Sequence, residues 1–153
     1  MRKIICLVLL LCFSITAAAA PPLKLRKFYL TPTTVQGNGA LTACADGFHM
    51  ASIFEIFDVS NLRYDTTLGK TDDDSGSGPP SEVGINSTGW VRTGRDSEND
   101  DMVPGDNCLV WSVTTGRGTR AQLVLDDASA TFGMWEMDTT TCVSSVPVWC
   151  VQD

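Results

Sequence analysis

Histidine is nearly absent: His49 stands alone in 153 residues. Between Phe48 and Met50 it reads as a structural, half-buried side chain. Without a second imidazole, a Ser-His-Asp triad or a zinc site is hard to build. Basic residues are also scarce. Eleven Lys and Arg face 18 Asp and Glu, for a formal charge of −7. That balance argues against nucleic acid, whose phosphates demand cations, and against adsorption to anionic membranes. It permits cation binding. Long apolar runs are missing too. The best one, Ile4–Ile15, is interrupted by Ser14 and falls short of the roughly 20 residues a membrane span needs. No internal repeat is visible.

The short apolar run has another reading. Arg2 and Lys3 precede it and Ala17–Ala20 supply small residues after it, so residues 1–20 read as a signal peptide. Its removal takes two positive charges and no acid, moving the charge from −7 to −9. Cys6 and Cys12 leave with it, and Leu11 before Cys12 is too large for a bacterial lipoprotein site. Residues 21–153 make one domain by length, expected outside the cell or in the periplasm. That domain retains Cys44, Cys108, Cys142 and Cys150. An even set behind a secretion signal reads as a disulfide framework, and four cysteines allow three pairings.

Leu23–Leu30 reads as a first strand, ended by Thr31-Pro32. Gly39–Ala45 reads as a short helix and Phe48–Ala51 as an apolar connector. Ser52 with Glu55 forms a capping box, predicting a second helix to about Leu62. Strands are predicted at Gly89–Val91, Cys108–Val113 and Ala121–Leu125, around Trp135, and at Val146–Val151. The Thr115–Gly118 segment is a turn. Lys70–Ser87 is poor in apolar side chains and reads as a long surface loop, and Arg95–Asn107 reads as a second, acidic one, so about 69–107 is a long loop region on either side of the Gly89–Val91 strand. Early helices and late strands predict an α+β class.

This order resembles the C-type lectin-like fold. Ala40–Cys44, Gly47–Ser52 with Glu55, Gly89-Trp90-Val91 and Trp149–Gln152 are similar to that family's first-helix pattern, central Trp strand and closing strand. The resemblance implies two N-terminal helices packed on short antiparallel strands, a long loop region and two bridges, Cys44–Cys150 and Cys108–Cys142. More narrowly, the chain is similar to a group of small secreted bacterial members for which the resemblance implies no assigned activity. It departs from the calcium-dependent sugar binders. Pro104 is flanked by Val103 and Gly105, and Trp135-Glu136-Met137-Asp138 replaces Trp-Asn-Asp, so the standard sugar site is not carried over.

Calcium takes six to eight oxygen ligands, so acidic loops are the place to look. The leading candidate ligands are Asp96, Glu98, Asn99, Asp100, Asp101 and Asp106. A second cluster is Asp72-Asp73-Asp74, where Val83 stands in place of a bidentate Glu. Trp90, Trp111 and Trp149 sit in apolar stretches and are expected in the core. Trp135, beside Gly133, is the expected exposed platform, with Glu136 and Asp138 the candidate ligand-binding residues next to it. Asn86-Ser87-Thr88 fits a glycosylation acceptor. The expected function is a secreted, non-enzymatic binding domain for a surface glycan or protein, held by the acidic loops, with calcium the one cofactor to test. The alternatives are a structural module of an extracellular assembly and, behind it, a secreted hydrolase built on a carboxylate pair.

Overall fold

Phe28, Tyr29 and Leu30 are consecutive and all buried, which a strand achieves where both of its faces are covered. They belong to β1 (Arg26–Leu30), an inner strand of the first sheet. The computed structural model describes residues 24–71, 78–80, 87–94, 107–123 and 135–153. The signal-peptide reading, the Asp72–Asp74 cluster and the segment 95–106 lie outside them. The first sheet has the order β2-β7-β1-β3, with β2 Phe48–Met50, β3 Leu62–Tyr64 and β7 Trp149–Gln152. β7 is antiparallel to both β1 and β2, whereas β1 and β3 run parallel. The second sheet is antiparallel, β4-β5-β6, with β4 Thr88–Trp90, β5 Arg117–Leu123 and β6 Trp135–Thr141.

Tryptophans join the two sheets. The Trp90 amide donates to Pro147 O at 2.8 Å, and Trp149 Nε1 donates to Ala121 O at 3.0 Å. Trp149 stacks on Phe28 and meets Trp135 edge-on, with ring centroids 6.1 and 5.1 Å away. Trp90 and Trp149 are fully buried and Trp111 is 4% exposed, the core positions expected of them. Gly89 makes this packing possible: a β-carbon there would lie 2.5 Å from Leu30 Cδ1 and 2.7 Å from Trp149 Cδ1.

The class is α+β, but the helical part is small. The first predicted helix is a six-residue 3-10 helix, Gly37–Thr42. The second is one α-turn, α1 (Ile53–Ile56), followed by a 3-10 turn, Val59–Asn61. The capping box at Ser52 forms. What stops α1 is Asp58, whose carboxylate accepts from the Ser60 amide at 3.2 Å and starts the next turn. Leu62, expected to end the helix, instead opens β3, which pairs with β1. The predicted connector at Phe48 is the edge strand β2. Two disulfides close the fold, Cys44–Cys150 and Cys108–Cys142. Among the described residues no helix is long and apolar enough to cross a membrane.

Candidate functional site

Asn107–Trp111 departs furthest from the sequence reading. The predicted strand over Cys108–Val113 is replaced by a left-handed turn, with φ of +48°, +49°, +55° and +58° at Cys108, Leu109, Val110 and Trp111. Each L-residue in this region costs about 1–2 kcal/mol, and a β-branched one such as Val110 is least tolerant. Such a run persists where its surroundings over-determine it. Here Cys108 is tied to Cys142, and Trp111 packs edge-on against Trp90 at 5.6 Å. The buried Asn107 donates from Nδ2 to Thr93 Oγ1 at 2.8 Å, and its carbonyl accepts from the Trp111 amide at 2.6 Å. The turn exposes its two middle side chains, Leu109 and Val110, which are 53% and 60% accessible.

The turn walls a cleft of about 430 Å³. Leu41 of the 3-10 helix, Ser52 at the start of α1, Arg92 and Gly94 after β4, and Asn107, Val110 and Trp111 line it. Phe54 borders it: its Cε2 lies 3.8 Å from where a β-carbon of Gly94 would stand, and the ring is 74% exposed. Apolar walls with a few polar groups at this volume are the usual make-up of a ligand cleft.

Behind Ser52 lies a charged network. Glu55 Oε2 accepts from the Ser52 amide at 3.0 Å and from Ser52 Oγ at 2.9 Å. Glu55 Oε1 meets His49 Nε2 at 3.0 Å and Arg26 Nη2 at 3.3 Å. His49 Nδ1 reaches Asp153 Oδ1 at 2.7 Å. The single histidine is therefore a half-buried strut between β2, α1 and the segment after β7. Burial pushes the Glu55 carboxyl up, but the hydrogen bonds from Ser52 and His49 and the charge of His49 outweigh it and lower the pKa from 4.5 to about 2. Because the folded value is depressed, the stabilisation is complete above pH 4.5 and is lost as pH falls toward 2. Glu55→Gln should therefore melt lower than the wild type at neutral pH, by about 1–2 kcal/mol after solvent screening. The gap should close in acid, and equal melting curves at pH 7 would contradict this role.

The candidate ligand-binding residues divide between two faces. Side chains alternate along β6. Trp135 points inward, half-buried rather than exposed, between Trp149 and Phe57, whose ring stacks on it at 6.1 Å. Glu136 and Asp138 point outward. Asp138 Oδ2 pairs with Arg120 Nη2 at 2.5 Å. Partial burial pushes its carboxyl up, while hydrogen bonds from Arg120 and the Thr139 amide and the charges of Arg120 and Arg117 hold it below the usual carboxylate range. The three residues thus do not share one face of β6. The calcium candidates Asp96, Glu98, Asn99, Asp100, Asp101 and Asp106 lie outside the described residues. Among the described residues, no three His, Cys, Asp or Glu side chains stand together as a metal set. Leu41, Arg92, Val110 and Trp111, which line the cleft, carry no sequence signal that would have singled them out as a group. Comparison with protein-family models, curated proteins and solved structures found no match to this chain.

Proposed function

We propose that this protein is a secreted, disulfide-stabilised binding domain of C-type lectin-like fold, without catalytic activity, that takes a protein ligand at the cleft beside the left-handed turn. One observation carries the reading: four consecutive residues are held at positive φ, two of them, Leu109 and Val110, present apolar side chains to solvent, and Val110 with Trp111 lines an apolar cleft. Strain of this kind gathers at ligand sites. The cleft adjoins the long loop region, the part of the chain expected to make contacts, and is set on two sheets and two bridges. A protein is favoured over a glycan here. A sugar needs several free donors and acceptors, whereas Ser52 Oγ and the Asn107 amide are engaged within the fold.

The test begins with the strain itself. Val110→Gly places a residue that accepts φ of +55° without steric cost. Relief of about 1–2 kcal/mol, less the entropy cost of glycine, should raise the melting temperature by a few degrees. The same substitution removes an apolar wall and should weaken ligand binding. Methyl NMR of Leu41 in the wild type and the variant, with Val110 in the wild type alone, reads the second half. Short apolar peptides should shift these signals and neutral oligosaccharides should not. Oligosaccharide shifts centred on this cleft would return the ligand to the glycan class.

A further inference from the structure

The polar groups of the cleft are unequal. Ser52 Oγ donates to Glu55, and Asn107 is bound to Thr93. Arg26 donates to Gln152 O, Arg117 to Thr139 and Arg120 to Asp138. Arg92 differs from these three arginines: it has no side-chain hydrogen bond or ion pair among the described residues. It is also firmly placed. Its amide donates to Ala51 O at 2.8 Å, its carbonyl accepts from the Ile53 amide at 2.9 Å, and it forms a bridge with Ser52. A guanidinium rooted on fixed backbone loses little freedom on meeting an anion, and its fork matches a carboxylate. The other walls, Leu41, Val110 and Trp111, ask for an apolar body.

Resting on the binding-cleft reading above, we infer that the occupant is a peptide segment in which a bulky aliphatic side chain adjoins a carboxylate. The aliphatic group packs between Leu41, Val110 and Trp111, and the carboxylate pairs with Arg92. Among the described residues Arg92 is the one cation lining the cleft; a neutral ligand would not use it, and a basic ligand would be repelled by it. The simplest form of this chemistry is an aliphatic residue at a chain's carboxyl terminus, where side chain and carboxylate share one α-carbon.

The probe is N-acetyl-Ala-Ala-Leu, as the free acid and as the carboxamide, titrated into the intact domain and followed on the Leu41 and Val110 methyl signals and the Trp111 indole. The acid should bind at least about tenfold tighter than the amide, the usual gain from a charge-assisted pair. Arg92→Gln should erase that difference while melting as the wild type does, since the side chain is exposed. Arg92→Lys, which keeps the charge and loses the fork, should fall between. Equal affinity of acid and amide for the wild type overturns the carboxylate inference and leaves the cleft reading standing. No shift from either form at about 10 mM, enough to saturate a millimolar site, overturns the cleft reading as well.

Discussion

Replacing Cys44 and Cys150 together with alanine should lower stability by about 4–5 kcal/mol, the largest effect of any single linkage in the molecule. The bridge closes a loop of 106 residues, and in the chain-entropy model the constraint on the unfolded state grows with the logarithm of that length. Position adds to length. Cys150 is fully buried in β7, which lies between β1 and β2, and Cys44 follows the 3-10 helix that forms one side of the cleft. Loss of the bridge therefore loosens the first sheet and the Leu41 wall at once. A domain of this size has about 5–15 kcal/mol in total, so the variant should be marginally folded at best. Denaturant unfolding of the oxidised wild type and the double variant measures the difference. A loss below about 1 kcal/mol would mean that the unfolded chain is already compact and the entropic account fails.

Gly37→Ala and Gly118→Ala should each cost about 3 kcal/mol, at the upper end of overpacking effects. The two glycines press on the Cys108–Cys142 bridge. A β-carbon at Gly37 would lie 2.3 Å from Cys108 Sγ and 3.1 Å from Cys142 Cβ. One at Gly118 would lie 2.6 Å from the same sulfur and 2.9 Å from Trp90 Cζ3. The neighbours have little room to give, because Cys108, Cys142 and Trp90 are all buried. The Gly37 amide also donates to Cys142 O at 2.8 Å, which fixes the backbone on that side. The readouts are the melting temperature and the free-thiol content of the purified protein. Wild-type melting with a fully formed bridge would show that the packing around the sulfurs is looser than described. Gly47→Asn is the control: φ is +79° there, nothing lies within 4 Å of the added carbon, and Asn tolerates the conformation.

The pattern of the sequence reached some of this structure and not the rest, for separable reasons. The capping box was legible because Ser52 and Glu55 are three residues apart and interact locally. Trp90, Trp111 and Trp149 were legible as core because their neighbours are apolar. β3 was not: Leu62 stands at the end of an apolar helical pattern, and the partner of Leu62–Tyr64 is Arg26–Phe28, far back in the chain. The left-handed turn was beyond reach, since Cys-Leu-Val-Trp is composed like a strand and the constraint on it comes from Cys142, Trp90 and Thr93. For Trp135, the neighbours in sequence suggest exposure, whereas Phe57 and Trp149 cover it. The cleft combines residues from four separated segments, and no local spacing marks such a set. The acidic candidates between Asp96 and Asp106 lie outside the described residues.

The place of β7 governs the order of folding. Its two partners, β1 and β2, are more than ninety positions earlier and do not touch each other in the sheet. Until Trp149–Gln152 arrives, each remains an open edge, and the second sheet lacks the Trp149 indole that anchors it at Ala121. Topology of this kind has high contact order, which predicts folding in milliseconds to seconds. Unpaired edges of this kind are where strands of another chain can add, so β7 guards the first sheet against intermolecular pairing as much as it completes the core.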